Sequence, residues 1–216
     1  MRVPRFLVLC ALLWSLAAAA QAQHGHQHSF RDAQKWSAVF DDPARDAWQK
    51  PQQVIEALAL APQARVADVG AGTGYFAARL AKALPQGQVY AVDLEPDMVT
   101  FLAERARREG LANLSALAGG EEGPRLPDRV DVVLLVNTYH HVSQRERYFR
   151  VLREALAPGG RVAIIDFTAD SPVGPPRRAR IAPEKVKAEM SGAGYALEQS
   201  HAFLPNQYFL VFRPAQ

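Results

Sequence analysis

Two groups of residues in this chain have types and spacings that chemistry could use. The first is Asp68-Val69-Gly70-Ala71-Gly72-Thr73-Gly74 together with Asp93, an acid 23 positions after Gly70. Glycines at alternate positions permit a tight turn and a close approach of backbone to a ligand, and a carboxylate at the end of a second strand can accept hydrogen bonds from both hydroxyls of a ribose. The spacing is G-x-G-x-G, not the G-x-G-x-x-G of a dinucleotide site, and Gly74 is followed by Tyr75 and Phe76 where a phosphate loop needs Lys and Ser or Thr. The ligand read from these residues is nucleoside-like and carries no phosphates.

The second group is Asn137-Thr138-Tyr139-His140-His141, which follows the apolar run Asp131-Val132-Val133-Leu134-Leu135-Val136. Five hydrogen-bonding residues at the end of a buried strand make a candidate reacting edge. An imidazole titrates near neutral pH and can take a proton from an oxygen or nitrogen nucleophile. His140 and His141 are therefore candidate bases with Tyr139 beside them, one histidine expected in the pocket and the other in a structural role, with the order left open.

The elements that must hold these groups are legible. Arg65–Val69 is a β-branched run, the glycines make a turn, and Tyr75–Leu84 has apolar residues at helical spacing: strand, loop, helix. Gln88–Asp93, Asn113–Ala118, Asp131–Val136 and Val162–Phe167 read as further strands. Helices are expected from Pro96 to Arg108 and from Tyr148 to Leu156, the second stopped by Pro158-Gly159-Gly160. Ala182–Met190 reads as helix, with strands at Tyr195–Glu198 and Tyr208–Phe212. The fold class is α/β, a Rossmann-like seven-stranded, mostly parallel sheet with helices on both faces and an antiparallel C-terminal hairpin.

With Asp68–Gly74, Asp93 and the later Leu152-Arg153-Glu154-Ala155-Leu156-Ala157-Pro158-Gly159-Gly160-Arg161 in register, the chain from about Val54 onward resembles the class I S-adenosylmethionine-dependent methyltransferases. The resemblance implies S-adenosylmethionine as cofactor, no metal, and a small-molecule or envelope methyl acceptor. It implies a cofactor-binding set of Asp68, Gly70, Ala71, Gly72, Thr73, Gly74, Asp93, Leu94, Glu121 and Asn137. In that set Gly70 and Gly72 lie against the methionine portion, Asp68 orients its ammonium through the loop, Asp93 holds the ribose and Glu121 meets the adenine amino group. A short loop, Gly119–Pro124, stands where relatives often carry a helix.

Arg2 and Arg5, the apolar run Phe6–Ala20 and Ala20-Gln21-Ala22 read as a cleavable secretory signal over residues 1–22, followed by an arm, 23–50, and the main domain, 51–216. The expected location is the periplasm or outside the cell, without membrane attachment once the signal is removed. Cleavage takes both signal arginines and Cys10, so the net charge of +3 falls by two to +1 and the mature chain has no cysteine. That leaves no thiol chemistry and no basic surface suggesting nucleic acid.

In the arm, His24, His26 and His28 could bind a divalent metal weakly or belong to a solvated tail. Trp36, Val39 and Phe40 fall on one helical face, to staple the arm down or to form a lid. Arg177, Arg178 and Arg180 lie in a loop and either stay solvated or meet an acidic substrate. Two other functions stand beside the methyltransferase: an exported, non-catalytic S-adenosylmethionine or nucleoside binding module, and a histidine-rich metal-handling protein.

Overall fold

The computed structural model describes residues 30–215; the 1–22 segment and His24, His26 and His28 lie outside the described residues. The arm supplies α1 (Ala33–Phe40) and α2 (Asp46–Gln49), and α3 (Pro51–Ala57) leads into the sheet. There β1 (Arg65–Val69), α4 (Tyr75–Ala83), β2 (Gln88–Asp93), α5 (Pro96–Arg108), β3 (Leu114–Ala118) and β4 (Val130–Val136) follow in turn. The chain finishes with α6 (Arg145–Leu152), β5 (Leu156–Phe167), α7 (Pro183–Gly192), β6 (Tyr195–His201) and β7 (Gln207–Pro214).

The strand order is β3-β2-β1-β4-β5-β7-β6, parallel from β3 to β5 and antiparallel where β7 pairs with β5 and β6. This is the seven-stranded sheet with a C-terminal hairpin expected from the sequence. Its central strands read as near-continuous apolar runs because both faces are covered. Along β4, Val132, Leu134 and Val136 pack on the layer that includes α3, α4 and part of α5. Val133 and Leu135 pack on the opposite layer, which includes α6 and α7. The order reverses between β1 and β4, and ligands of such sheets bind in the crevice outside the carboxyl ends at that point.

Some boundaries differ. The α6 helix starts at Arg145, three residues before the expected Tyr148, because its first turn is polar and is held by the Arg145–Glu189 ion pair at 2.6 Å, outside the reach of an apolar pattern. The Pro158-Gly159-Gly160 stretch belongs to the start of β5, with Gly159 at φ 77° and a register shift opposite Val130/Val132. In α1 the expected face is only partly right: the Trp36 and Phe40 rings stack at 5.4 Å, whereas Val39 is 59% exposed.

Candidate active site

The three glycines of the loop perform three different tasks. Gly70 (φ 71°) lies against the segment after β4, and a Cβ there would fall 2.4 Å from Thr138 Cγ2 and Oγ1. Gly74 (φ 89°) lets α5 approach, since a Cβ would fall 2.8 Å from Leu102 Cδ2. Only Gly72 (φ 57°) faces the arm, where a Cβ would meet the Phe40 ring at 3.2 Å. The absence of a side chain at Gly74 therefore serves the packing of α5 on the loop. Thr73 is likewise fully buried, its hydroxyl without a partner among the described residues and its carbonyl accepting from Arg105 at 2.9 Å. The N–H groups of Gly70 and Ala71 both donate to Val92 O, at 2.8 and 3.0 Å, which ties the loop to the end of β2.

Asp93 holds that loop from the other side. Its Oδ2 accepts from Gly72 N at 2.8 Å and its Oδ1 from Glu95 N at 3.0 Å, which leaves the carboxylate acceptor capacity for a further donor. Burial raises its pKa, opposed by the backbone N–H groups of Glu95, Gly72 and Leu94. Leu94, next to it, is 56% exposed, an apolar surface that the core does not use. A half-buried carboxylate with acceptor capacity to spare, an apolar side chain beside it and a glycine backbone nearby fit a nucleoside. Glu121 and Glu122 are exposed in a turn closed by the Gly120–Gly123 bridge, with Glu122 paired to Arg147 at 2.7 Å.

Asp68, at the end of β1, is 3% exposed. Burial raises its pKa from 3.8 to about 7, against the Ala77 backbone N–H and the Arg45 guanidinium, while nearby Asp93 adds to the rise. The folded state thus binds this proton more tightly than the unfolded chain does. Its contribution to stability is complete below the ordinary carboxylate pKa and is lost as pH rises through about 7. A carboxyl moved from 3.8 to about 7 contributes on the order of 4 kcal/mol to that difference. Thermal unfolding of the ligand-free protein is expected to show stability falling from about pH 4 to about pH 8, and Asp68→Asn to remove this part of the slope. An unchanged slope in the variant would place the titration elsewhere.

The arm is built into this edge. Gln49, fully buried in α2, donates to Gln207 Oε1 at 2.5 Å; Gln207 in turn donates to Asn137 Oδ1, and Asn137 Nδ2 donates to Gln49 Oε1 at 3.3 Å. Asn137, in a left-handed conformation (φ 59°), therefore ties β4 to the arm and to β7 instead of standing free for the cofactor. Arg105 bonds Asp41 at 2.8 Å, and Phe30 N donates to Glu95 Oε1 at 3.2 Å, so the arm also grips α5 and the end of β2. Sequence reasoning missed Gln49 and Gln207, since nothing local distinguishes a buried glutamine from a surface one.

At the reacting edge the three neighbours Tyr139, His140 and His141 part company. Tyr139 has no exposed surface; its hydroxyl donates to Glu189 Oε2 at 2.7 Å and its ring stacks on Phe149 at 5.4 Å. Burial, and then the bond to Glu189, push its phenol pKa up. It belongs to the core beneath α6 and α7, which corrects its expected place among catalytic residues. His141 is exposed, with its ring edge-on to Phe30 at 5.5 Å. His140 Nδ1 lies 2.9 Å from both carboxylate oxygens of Asp166, and Asp166 also accepts from His140 N at 3.1 Å and Phe167 N at 2.8 Å. Asp166, the next-to-last residue of β5, is 1% exposed, and the His140 side chain 5%. The partnership was not foreseen, because 26 residues separate the two and only β4–β5 pairing joins them.

In the arginine loop Arg178 is exposed, and the other two arginines are bonded within the loop. Arg180 donates to the carbonyls of Thr168, Ala169, Ser171, Val173 and Pro175, and Arg177 pairs with Asp170 at 3.0 Å. Among the described residues no three His, Cys, Asp or Glu side chains cluster as a metal site, and no helix is long and apolar enough to cross a membrane.

Comparison with known proteins agrees with this geometry. Residues 67–162 match a family model described as a methyltransferase domain. A malonyl-[acyl-carrier protein] O-methyltransferase of Methylococcus capsulatus is 33% identical over 107 residues, 49% of this chain and 38% of that protein. The ubiquinone/menaquinone biosynthesis C-methyltransferase UbiE of Burkholderia mallei is 29% identical over 108 residues, 50% of this chain and 44% of that protein. The chain thus spans less than half the length of these curated relatives. The solved structure of a SAM-dependent methyltransferase from Aquifex aeolicus superposes with a TM-score of 0.78 at 27% identity, over 84% of this chain and 97% of that one. Together with the loop and Asp93, these likenesses support a class I methyltransferase domain whose cofactor is S-adenosylmethionine.

Proposed function

We propose that this chain methylates a hydroxyl oxygen on an uncharged, flat small molecule, with His140 as the proton acceptor. The observation that carries the reading is the His140–Asp166 pair. A buried carboxylate on Nδ1 fixes the tautomer in which Nδ1 bears the proton and Nε2 the free lone pair. That is the arrangement by which a base is oriented by a third group. Binding a cofactor needs no such pair, which favours catalysis over the non-catalytic reading.

S-adenosylmethionine, when bound, supplies an electrophilic methyl group on a sulfonium. The chain's own tasks are positional: Asp93 takes the ribose hydroxyls, Leu94 an adenine face, and Gly72 admits the methionine portion close to backbone. His140 takes the proton that the acceptor hydroxyl gives up, and Asp166 balances the imidazolium. Holding acceptor and donor in line supplies much of the rate. The Phe167 ring lies 6.4 Å from the His140 ring and the Phe30 ring 5.5 Å from that of His141, with Trp48 6.0 Å from Phe167, an aromatic neighbourhood suited to a planar acceptor. Arg180 is committed to loop carbonyls and is not available to an anionic acceptor. Release of demethylated cofactor across a panel of phenols, amines, thiols and carboxylates tests the reading. Turnover confined to carboxylates would overturn it.

The same proposal places the mature protein outside the cytoplasm, on the strength of the 1–22 segment. Mass spectrometry is expected to find an N-terminus near Gln23, and recovery of the full-length chain from the cytosol would contradict export.

A further inference from the structure

Most guanidinium groups around the glycine loop are neutralised. Arg79 pairs with Asp46 at 3.0 Å, and Arg105 with Asp41 at 2.8 Å and Glu109 at 2.7 Å. Arg45 is not. It stands at the start of α2, largely shielded, and makes no carboxylate contact within ion-pair distance among the described residues. Its bonds go to Phe40 O at 2.6 Å and to Gln49 Oε1 at 3.4 and 3.3 Å. Three of its five N–H donors are used so, and two are left.

Its position is specific. The guanidinium lies 4.1 Å from the ring centroid of Tyr75, the residue that follows Gly74 and opens α4. It is close enough to Asp68 for each group to influence the other's charge, without the two forming an ion pair. A shielded cation without a counter-ion is costly, and the neighbouring cations are consumed elsewhere. The amino-acid end of S-adenosylmethionine is a zwitterion, one ammonium beside one carboxylate. With Asp93 assigned to the ribose, this loop has the acid Asp68 and one unneutralised base, Arg45, for that end.

Resting on the cofactor reading above, we infer that Arg45 recognises the carboxylate of the cofactor's methionine portion while Asp68 answers its ammonium. Arg45 is carried by the arm and its Nη1 bonds the carbonyl of Phe40, whose ring covers Gly72. Carboxylate recognition by Arg45 therefore draws the arm down on the occupied loop, which makes the arm part of the cofactor site instead of a passive staple. Guanidinium suits the task because its fork matches a carboxylate in two bonds.

The test compares ligands that differ only at that end: S-adenosylmethionine, its decarboxylated form, and methylthioadenosine, which has no amino-acid portion. By calorimetry the wild type is expected to bind S-adenosylmethionine about ten- to a hundredfold more tightly than the decarboxylated form, the range of a charge-assisted bond. In Arg45→Gln that preference should collapse towards unity, with methylthioadenosine affinity unchanged and Arg45→Lys intermediate. Equal wild-type affinity for the first two ligands overturns the inference whether or not any variant folds. An equal weakening of all three ligands in Arg45→Gln also overturns it, as the mark of a merely structural arginine. Failure of the wild type to bind even methylthioadenosine would strike the cofactor reading itself.

Discussion

Replacing His140 by alanine is expected to lower turnover by about 10²–10⁴-fold, the range of a lost general base, with cofactor affinity nearly unchanged. His140 follows β4 and is not among the residues proposed to hold the nucleoside, Asp93 and Leu94 after β2, so the loss should fall on turnover and leave cofactor affinity alone. Asp166→Asn separates orientation from packing. The substituted amide would keep the shape, but its single oxygen can accept from only one of the two backbone N–H groups, since His140 N bonds Oδ2 and Phe167 N bonds Oδ1, and its NH₂ group can donate to Nδ1 and move the ring proton to Nε2. Turnover should then fall towards that of His140→Ala, with a stability loss of about 1–3 kcal/mol from the buried backbone N–H left facing the NH₂ group. His141→Ala, at an exposed ring that touches Phe30, should cost less than about tenfold, well below the effect of a lost base. Steady-state kinetics on an active acceptor, with unfolding curves for each variant, checks all three. Wild-type turnover in both His140→Ala and Asp166→Asn would make the pair a structural fastening.

How much of this site could be read from the sequence depends on how far apart its partners lie. The strand, loop and helix around Gly70–Gly74 are local, so β-branched runs, glycine spacing and helical periodicity were enough to place them, and Asp93 followed from the end of β2. Orientation was another matter. Tyr139, His140 and His141 are consecutive, yet one enters the core, one meets Asp166 and one faces outward. That outcome is set by the 3-10 turn Tyr139–His141 and by where β5 and α7 arrive, not by the three residues. Asn137, Gln49 and Gln207 show the same limit: the ring of amides closes over sequence separations of 88, 158 and 70 residues, and no local pattern encodes it. Arg45 was passed over because an arginine in a charged arm looks solvated until its missing partner is noticed in three dimensions.

The glycine loop offers the second large effect, because its glycines are alike in sequence and unlike in surroundings. A Cβ on Gly70 would sit 2.4 Å from two side-chain atoms of Thr138 and 2.9 Å from a third, at φ 71°. Gly70→Ala therefore combines a left-handed conformation, about 1–2 kcal/mol, with overpacking at the junction of β1 and β4, about 1–3 kcal/mol. Against a total stability on the order of 5–15 kcal/mol the sum is large. Gly72→Ala meets only the Phe40 ring at 3.2 Å, on an arm that can shift by a few tenths of an ångström. It should lose roughly the conformational cost alone and show weakened cofactor binding in place of a weakened fold. The sequence suggested that a side chain at Gly72 would fill space reserved for ligand; in the structure it would first push Phe40, so the expected injury is to closure of the arm. Urea unfolding should place Gly70→Ala far below Gly72→Ala in stability, and Thr138→Ala should restore part of the Gly70→Ala loss by removing the two nearest atoms. If Gly70→Ala unfolds with the wild type and Thr138→Ala adds nothing, the β1 loop does not depend on its contact with the end of β4. The crevice between them would then have to be held open by the arm.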